Sequence, residues 1–391
     1  MAPKTNDGTR HICFVITARP SYARVRSAIS AALEHPGLHV SIIGTASFLA
    51  NRFGTAANAL AQDGFELAWK IHTLFDENGL STAAKTTSIQ LAELSTAFEN
   101  LKPDMVVSVA DRYETMATAI AAAYMNIPLV HLQGGEVTGN IDEKVRHAIT
   151  KLADLHLVSN EDSRDRVIRL GEQEDRVHIT GCPSIDIARK VKAHIEDYSN
   201  PLVGVSPVGT PIDLDRPFVV VMQHPVTTKY TEARSQLEST LVAAATLSTQ
   251  VVWFWPNPDL GSSGASEAIR AFRETTPDQN IAYIKNLDPE HFLALLTKAS
   301  CLIGNSSVGI RECSFLGVPV VNIGNRQRKR LRANNVIDVP QDTEAISTSA
   351  KIQIAHGKYE QSSIYGTGDA GTRIASLLAT EPLGFEKQIT Y

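Results

Sequence analysis

Short apolar runs rich in Val and Ile, each followed by a longer stretch with helical spacing, recur along nearly the whole chain. "HICFVITA" (11–18) leads into a helix from about Pro20, and "HVSIIG" (39–44) precedes another. "DMVVSVA" (104–110) follows an amphipathic stretch around 82–101, and an alanine-rich segment then leads to "PLVHLQ" (128–133). "LHLVS" and "VHITG" continue the rhythm to about residue 190. Strands separated by helical segments predict βαβ units and a parallel sheet.

The rhythm breaks once. Residues 195–216, "IEDYSNPLVGVSPVGTPIDLDR", turn to Pro, Gly, Ser and acids, which is a linker composition. It then restarts with "FVVVMQ", "QVVWFW", "IAYIK", "CLIGN", "VPVVNIG" and "VIDV". The expected organisation is a loose tail over 1–10, an N-terminal Rossmann-like domain over 11–195 and a linker over 196–216. A C-terminal Rossmann-like domain over 217–370 follows, with 371–391 packing back across both. The fold class is α/β, two doubly wound parallel-sheet domains, and ligands of such sheets bind at the strands' carboxyl ends, here in the cleft between the domains.

Bulk properties narrow the function. With 391 residues the chain is long enough for two domains and a substantial core. A net charge of -5 argues against a nucleic-acid partner. The longest apolar runs are too short for a bilayer, so no membrane partner is expected. The polar first ten residues do not read as a signal peptide. Cys13, Cys182, Cys301 and Cys313 are far apart, without CxxC spacing, and read as reduced, mostly buried thiols of a cytoplasmic protein. The 12 histidines form no HExxH motif, so neither a metal nor another cofactor is expected.

The chemistry-bearing residues follow the strands. Arg19 follows the first run, and Asp111 and Arg112 follow "MVVSVA". His131, Gln133, Gly134, Gly135 and Glu136 close "PLV", and a loop then leads to Asp142, Glu143, Arg146 and His147. In the second half His224, Asn257, then Ser306, Ser307, Arg311 and Glu312, then Arg326, Arg328 and Arg330 hold equivalent places. Acids concentrate in the first domain, hydroxyls and arginines in the second. The second set suits a nucleotide diphosphate, with Glu312 able to accept from both ribose hydroxyls. The first set can move protons on a sugar.

Each feature has a blander reading alone. "GNSS" can be a Ser N-cap with a Gly turn, Asp111 and Asp142 helix caps, His224 structural, "RQRKR" a solvated loop, and "GDAGTR" a helix start. Their convergence on strand carboxyl ends favours a site.

The segments "ITARPSYARVRSAI", "VSVADRYETMATAIAAAYMNIPLVHLQGGEVTGNIDEKVRHAITKLADLHLVSNEDSRDRVIRLGE", "VHITGCPSIDIA", "VVVMQHPVTT" and "CLIGNSSVGIRECSFLGVPVVNIGNRQ" resemble the UDP-N-acetylglucosamine 2-epimerase family. The likeness covers about 11–375 and is strongest to its hydrolysing branch, which feeds sialic-acid-type sugar synthesis. The resemblance implies a GT-B fold of two Rossmann-like domains and a homodimer or homotetramer. It also implies release of UDP and N-acetylmannosamine from UDP-N-acetylglucosamine, by anti elimination to a 2-acetamidoglucal and then hydration.

By resemblance, Asp111 and Asp142 work on the sugar, while Arg19, Arg112 and His224 meet the diphosphate. Ser306 and Ser307 bind phosphate oxygens, Glu312 the ribose and Arg326 the phosphates on closure, and Asn257 lines the nucleotide side. Arg146 and His147 join the substrate-binding set. Two positions depart from the branch. Gln133 stands where Glu is frequent, and an amide cannot exchange a proton at neutral pH. That leaves Glu136 or Asp142 for the role. Ala23 replaces a frequent hydroxyl residue. Both departures fit an alternative substrate, a UDP- or GDP-linked 2,4-diacetamido-2,4,6-trideoxy sugar. A non-hydrolysing epimerase, a glycosyltransferase and a nucleotide-sugar sensor are the other readings.

Overall fold

The computed structural model describes residues 8–50, 56–75, 80–109, 112–138, 141–226, 231–256, 262–276, 280–383 and 387–390. Asp111 and Asn257, both expected at the site, lie outside the described residues. Every strand expected from an apolar run is present, together with one short strand in each unit that no run announced. In the first unit they are β1 (Arg10–Ile16), β2 (Leu38–Thr45), β3 (Trp69–Ile71), β4 (Met105–Val109), β5 (Leu129–Leu132), β6 (Leu155–Val158) and β7 (Val177–Ile179). In the second they are β8 (Val208–Gly209), β9 (Phe218–Met222), β10 (Gln250–Phe254), β11 (Ile281–Ile284), β12 (Cys301–Gly304), β13 (Val320–Ile323) and β14 (Val336–Val339).

The first sheet runs β3-β2-β1-β4-β5-β6-β7 and the second β14-β13-β12-β9-β10-β11-β8. The strands pair in parallel except for β8, which lies antiparallel along β11. Strand order reverses between β1 and β4 in one sheet and between β9 and β12 in the other, which is where doubly wound sheets open a crevice for a ligand.

Compact unit one comprises 1–136, 141–186 and 366–391, and unit two comprises 137–140 and 187–365. The division thus falls at Asp186/Ile187, inside the helix Pro183–Ala193. The stretch read as a plain linker supplies the edge strand β8, too short to register as an apolar run. The C-terminal helix Ala370–Thr380 belongs with the first unit, packing on helix Arg26–Glu34. Gly371 permits this approach, since a Cβ there would stand 2.5 Å from the Ser27 carbonyl oxygen. The "GDAGTR" segment is therefore a helix start. Its N–H groups at Ala370 and Gly371 donate to the Asp186 carboxylate at 3.0 and 2.7 Å.

Alternation along β1 builds two apolar layers. Ile12, Phe14 and Ile16 face one core with Ala28, Ile29, Ile374 and Leu378; Cys13 and Val15 face the other with Leu94, Phe98 and Ile149. In the second unit Val219, Val221 and Trp253 pack with Leu237, Leu241 and Ile269. Large buried side chains on both faces of a sheet leave little freedom in its strand ends, so the loops that follow are held by rigid supports.

A buried ionic cluster supports the helix Ile141–Leu152. Glu172, 3% exposed, accepts from His156 Nε2 at 3.0 Å, Lys151 Nζ at 2.6 Å and Lys387 Nζ at 2.6 Å. Lys387 also donates to the Ala153 and Thr150 carbonyls, capping the helix's carboxyl end. Burial works to raise the Glu172 pKa, but the hydrogen bonds from His156, Lys151 and Lys387 outweigh it and hold it at about 2 instead of 4.5. The carboxylate therefore stabilises the fold fully above about pH 4.5, and the contribution disappears as pH falls toward about 2. Lys387→Ala is expected to cost about 1–3 kcal/mol near neutral pH. Thermal melts should show the gap from the native protein closing as pH falls from about 4.5 toward about 2, where the folded protein's Glu172 takes up its proton; a gap independent of pH would contradict this.

Candidate active site

In the first unit the expected residues gather at the carboxyl ends of β1, β4 and β5, which are neighbours in the sheet. Half-buried Arg19 opens the helix Arg19–Ala23 directly after β1. Arg112 follows β4, and its guanidinium is gripped by Glu114 through Nε–Oε2 at 3.2 Å and Nη2–Oε1 at 3.3 Å. Glu114 is fully buried, so this pairing fixes where Arg112 can reach.

After β5 the chain turns sharply. Gln133 has φ +63° and Gly135 φ +75°. Gln133 still donates its backbone N–H to Leu157 O at 2.9 Å, prolonging the ladder to β6. A Cβ on Gly135 would stand 2.2 Å from Ser163 O, so only glycine lets this turn press onto the helix Glu161–Arg169. The Gln133 side chain is 3% exposed; its Nε2 points to Cys182 Sγ at 3.1 Å, and Cys182 Sγ lies 3.0 Å from Ser184 Oγ. Its Oε1 has no hydrogen-bond partner among the described residues. Glu136, 4% exposed, accepts from Ser159 Oγ at 3.3 Å, and its carbonyl takes Arg146 Nη1 at 2.7 Å.

Asp142 sits half-buried in the first turn of helix Ile141–Leu152, where the helix dipole favours a carboxylate. Arg146, one turn on and 1% exposed, ties that helix to the Glu136 turn. His147 Nε2 lies 3.5 Å from Glu143 Oε1.

In the second unit the focus is the β9/β12 reversal. Gly304, with φ +146°, closes β12 against β9; a Cβ there would be 2.0 Å from Met222 O. Asn305 then locks the two strand ends together, its Oδ1 accepting from His224 N at 2.8 Å and its Nδ2 donating to His224 O at 2.8 Å. Its own carbonyl receives Arg326 Nη1 at 3.1 Å and Gln327 Nε2 at 2.9 Å. Ser306 caps the tight turn Ser307–Gly309 by accepting from Val308 N at 3.5 Å, which is the bland role weighed for it. Ser307 Oγ accepts from Arg311 Nη2 at 2.9 Å.

Glu312 begins a helix of only five residues, Glu312–Leu316, which Gly317 ends at φ +70°. It is 7% exposed with Arg311 Nε 3.8 Å from its Oε2, an oxygen with no hydrogen-bond partner among the described residues. A buried carboxylate with unused acceptor capacity fits a ligand carrying hydroxyl donors.

Several structural partners escaped the sequence reading. Asn305 meets His224 from 81 residues away, and Cys182, itself 3.0 Å from Ser184 Oγ, meets Gln133 from 49, separations with no local signal. All four cysteines are free and buried. Among the described residues no group of His, Cys, Asp and Glu could hold a metal ion, and no helix is long and apolar enough to cross a membrane.

Comparison with known proteins gives this arrangement its class. The profile of the UDP-N-acetylglucosamine 2-epimerases matches residues 31–379. The chain is 34% identical over 374 residues to the "UDP-N,N'-diacetylbacillosamine 2-epimerase (hydrolyzing)" of Legionella pneumophila, covering 96% of this chain and 97% of that one. It is 32% identical to the "GDP/UDP-N,N'-diacetylbacillosamine 2-epimerase (hydrolyzing)" of Campylobacter jejuni, over 84% of each. A Methanocaldococcus jannaschii UDP-GlcNAc 2-epimerase, crystallised with UDP-GlcNAc and UDP, superposes with TM-score 0.79 at 17% identity, covering 94% of this chain and 99% of that one. The fold is thus of the GT-B type, built from two Rossmann-like units. The chain belongs to the UDP-N-acetylglucosamine 2-epimerase family and is an enzyme of the nucleotide-sugar 2-epimerase type.

Proposed function

We propose that this enzyme is a hydrolysing 2-epimerase whose substrate is UDP-linked N,N'-diacetylbacillosamine, a 2,4-diacetamido-2,4,6-trideoxyglucose. The observation that carries the reading is the similarity, along nearly the full length, to two relatives named for that activity. It displaces UDP-N-acetylglucosamine, the first expectation from the sequence, in favour of the alternative. Gln133 supports it: in place of a frequent Glu stands a buried amide with an unused acceptor, suited to a substituent and not to proton transfer.

In this reaction a carboxylate removes the C2 proton as UDP leaves C1, giving a glycal. Water then adds across the double bond and the 2-epimerised free sugar departs. The C2 proton is weakly acidic, so rate depends on a well-placed base and a stabilised leaving group. Asp111 and Asp142 are the proposed proton carriers, with Glu136 held ready by Ser159. Arg19 and Arg112 are proposed on the diphosphate. The second unit is proposed to hold the nucleotide through His224, Ser307, Arg326 and Glu312, while Ser306 shapes the turn.

The substrate is tested by kcat/KM for UDP release from UDP-N,N'-diacetylbacillosamine and from UDP-N-acetylglucosamine. At least a tenfold preference for the former is expected, about the discrimination a few well-placed polar contacts provide; an equal or reversed preference overturns the assignment. In the same assay Gln133→Glu should lower kcat/KM on the diacetylated sugar at least about tenfold, because it buries a carboxylate where an amide now donates to Cys182. Unchanged activity would remove Gln133 from the site.

A further inference from the structure

Arg19 stands on a slight support. Its helix, Arg19–Ala23, has five residues, Pro20 near its start and no side-chain cap among the described residues. A helix this short does not hold its shape alone, so its place must come from what it packs on. Backbone bonds from Ser21 and Tyr22 to the Ala18 carbonyl, at 3.1 and 3.2 Å, close its first turn. Neither bond fixes where that turn sits on the sheet.

Tyr22 supplies the missing tie. Three residues after Arg19, it is a neighbour of Arg19 on the helix surface. It is 4% exposed, and its ring meets that of Phe48 with centroids 6.0 Å apart. Phe48 is itself fastened to the end of β1, since its N–H and the Ser47 hydroxyl both donate to the Thr17 carbonyl at 3.1 Å. The Tyr22 hydroxyl donates to Asp63 Oδ2, and Arg26 Nη2 donates to the other oxygen, Oδ1. Arg26 opens the next helix, Arg26–Glu34, while Asp63 directly follows the helix Ala56–Gln62. One carboxylate therefore pins both helices that follow β1.

A tie made only for stability needs no hydroxyl there. Phe in the same packing would avoid burying a polar group, but apolar contact alone lets a short helix slide or roll. A directional bond to a carboxylate that an arginine holds in turn allows one position. Burial, with the Asp63 carboxylate beside it, pushes the Tyr22 pKa above its usual range, so the hydroxyl remains a donor at any working pH.

We propose that Asp63 and Tyr22 are positioning residues, which hold the Arg19 helix so that the Arg19 guanidinium meets the diphosphate of the nucleotide. The proposal rests on the reading of Arg19 as a diphosphate ligand, and the test checks that reading by itself. UDP affinity of the full chain is measured by calorimetry, beside a thermal melt, for Tyr22→Phe, Asp63→Asn, Arg19→Ala and the double variant Arg19→Ala with Tyr22→Phe. Arg19→Ala should weaken UDP binding at least about tenfold, and Tyr22→Phe at least about fivefold. Asp63→Asn should match Tyr22→Phe, because one of its two partners then faces an N–H group. Tyr22→Phe keeps the ring and its packing, so the test stands even where Asp63→Asn fails to fold. With Arg19 already removed, Tyr22→Phe should change UDP affinity less than about twofold, because the hydroxyl acts through that guanidinium. An indifferent Tyr22→Phe, or the same loss with and without Arg19, overturns the proposal while the role of Arg19 stands. An indifferent Arg19→Ala sinks the diphosphate reading, and the proposal with it.

Discussion

Asp142→Asn is expected to reduce kcat by about 10²–10⁴, the usual contribution of a positioned acid or base, while UDP affinity changes little. The substitution is nearly isosteric and keeps an oxygen acceptor, but an amide neither takes nor gives a proton at neutral pH. The side chain cannot drift to a compensating position, because its helix is anchored along its length. Arg146 ties it to the Glu136 carbonyl at 2.7 Å, Thr150 Oγ1 meets His131 Nδ1 at 3.2 Å, and Lys387 caps its end. The check pairs a continuous UDP-release assay with calorimetric UDP binding. A near-native rate would remove Asp142 from the chemistry, and equal losses in rate and UDP affinity would make it a binding residue instead.

Glu312→Gln should weaken UDP binding at least about tenfold, with kcat at saturation altered much less. Ionised Glu312 can accept two hydroxyl protons at once, and the orphaned Oε2 shows acceptor capacity left unused by the protein. Gln presents one acceptor and one donor, so one of a pair of ribose hydroxyls would face an N–H group. Arg311 loses its nearby carboxylate but keeps Ser307 Oγ at 2.9 Å, which limits the damage to the turn. Calorimetry with UDP beside a thermal melt separates the two effects. Unaltered UDP affinity in a folded variant would contradict the ribose role.

The sequence made the sheets legible because strands buried on both faces must be apolar along their length, and such runs stand out from helical spacing. It missed β3 and β8, each too short for a run, and with β8 it missed that the supposed linker edges a sheet. Residue types at strand ends were legible for the same topological reason: side chains after parallel strands share one rim. What they touch was not. The clasp between Asn305 and His224, and the contact of Gln133 with Cys182, depend on three-dimensional neighbours. Arg146 illustrates the difference, since its place after Asp142 suggests substrate contact while its burial gives it a bracing role. The requirement for Gly135 also lies in a three-dimensional neighbour, since a Cβ there would stand 2.2 Å from the Ser163 carbonyl oxygen.

The central claim is that elimination at C1–C2 releases the nucleotide and that water, not UDP, completes the product. Incubating the enzyme with UDP-N,N'-diacetylbacillosamine in deuterated water, followed by mass spectrometry of the products, tests it most directly. The account predicts free UDP in equal amount with a free 2-epimerised diacetamido sugar carrying one deuterium at C2. A UDP-linked epimer without UDP release, or a free sugar retaining its original C2 hydrogen, would contradict it.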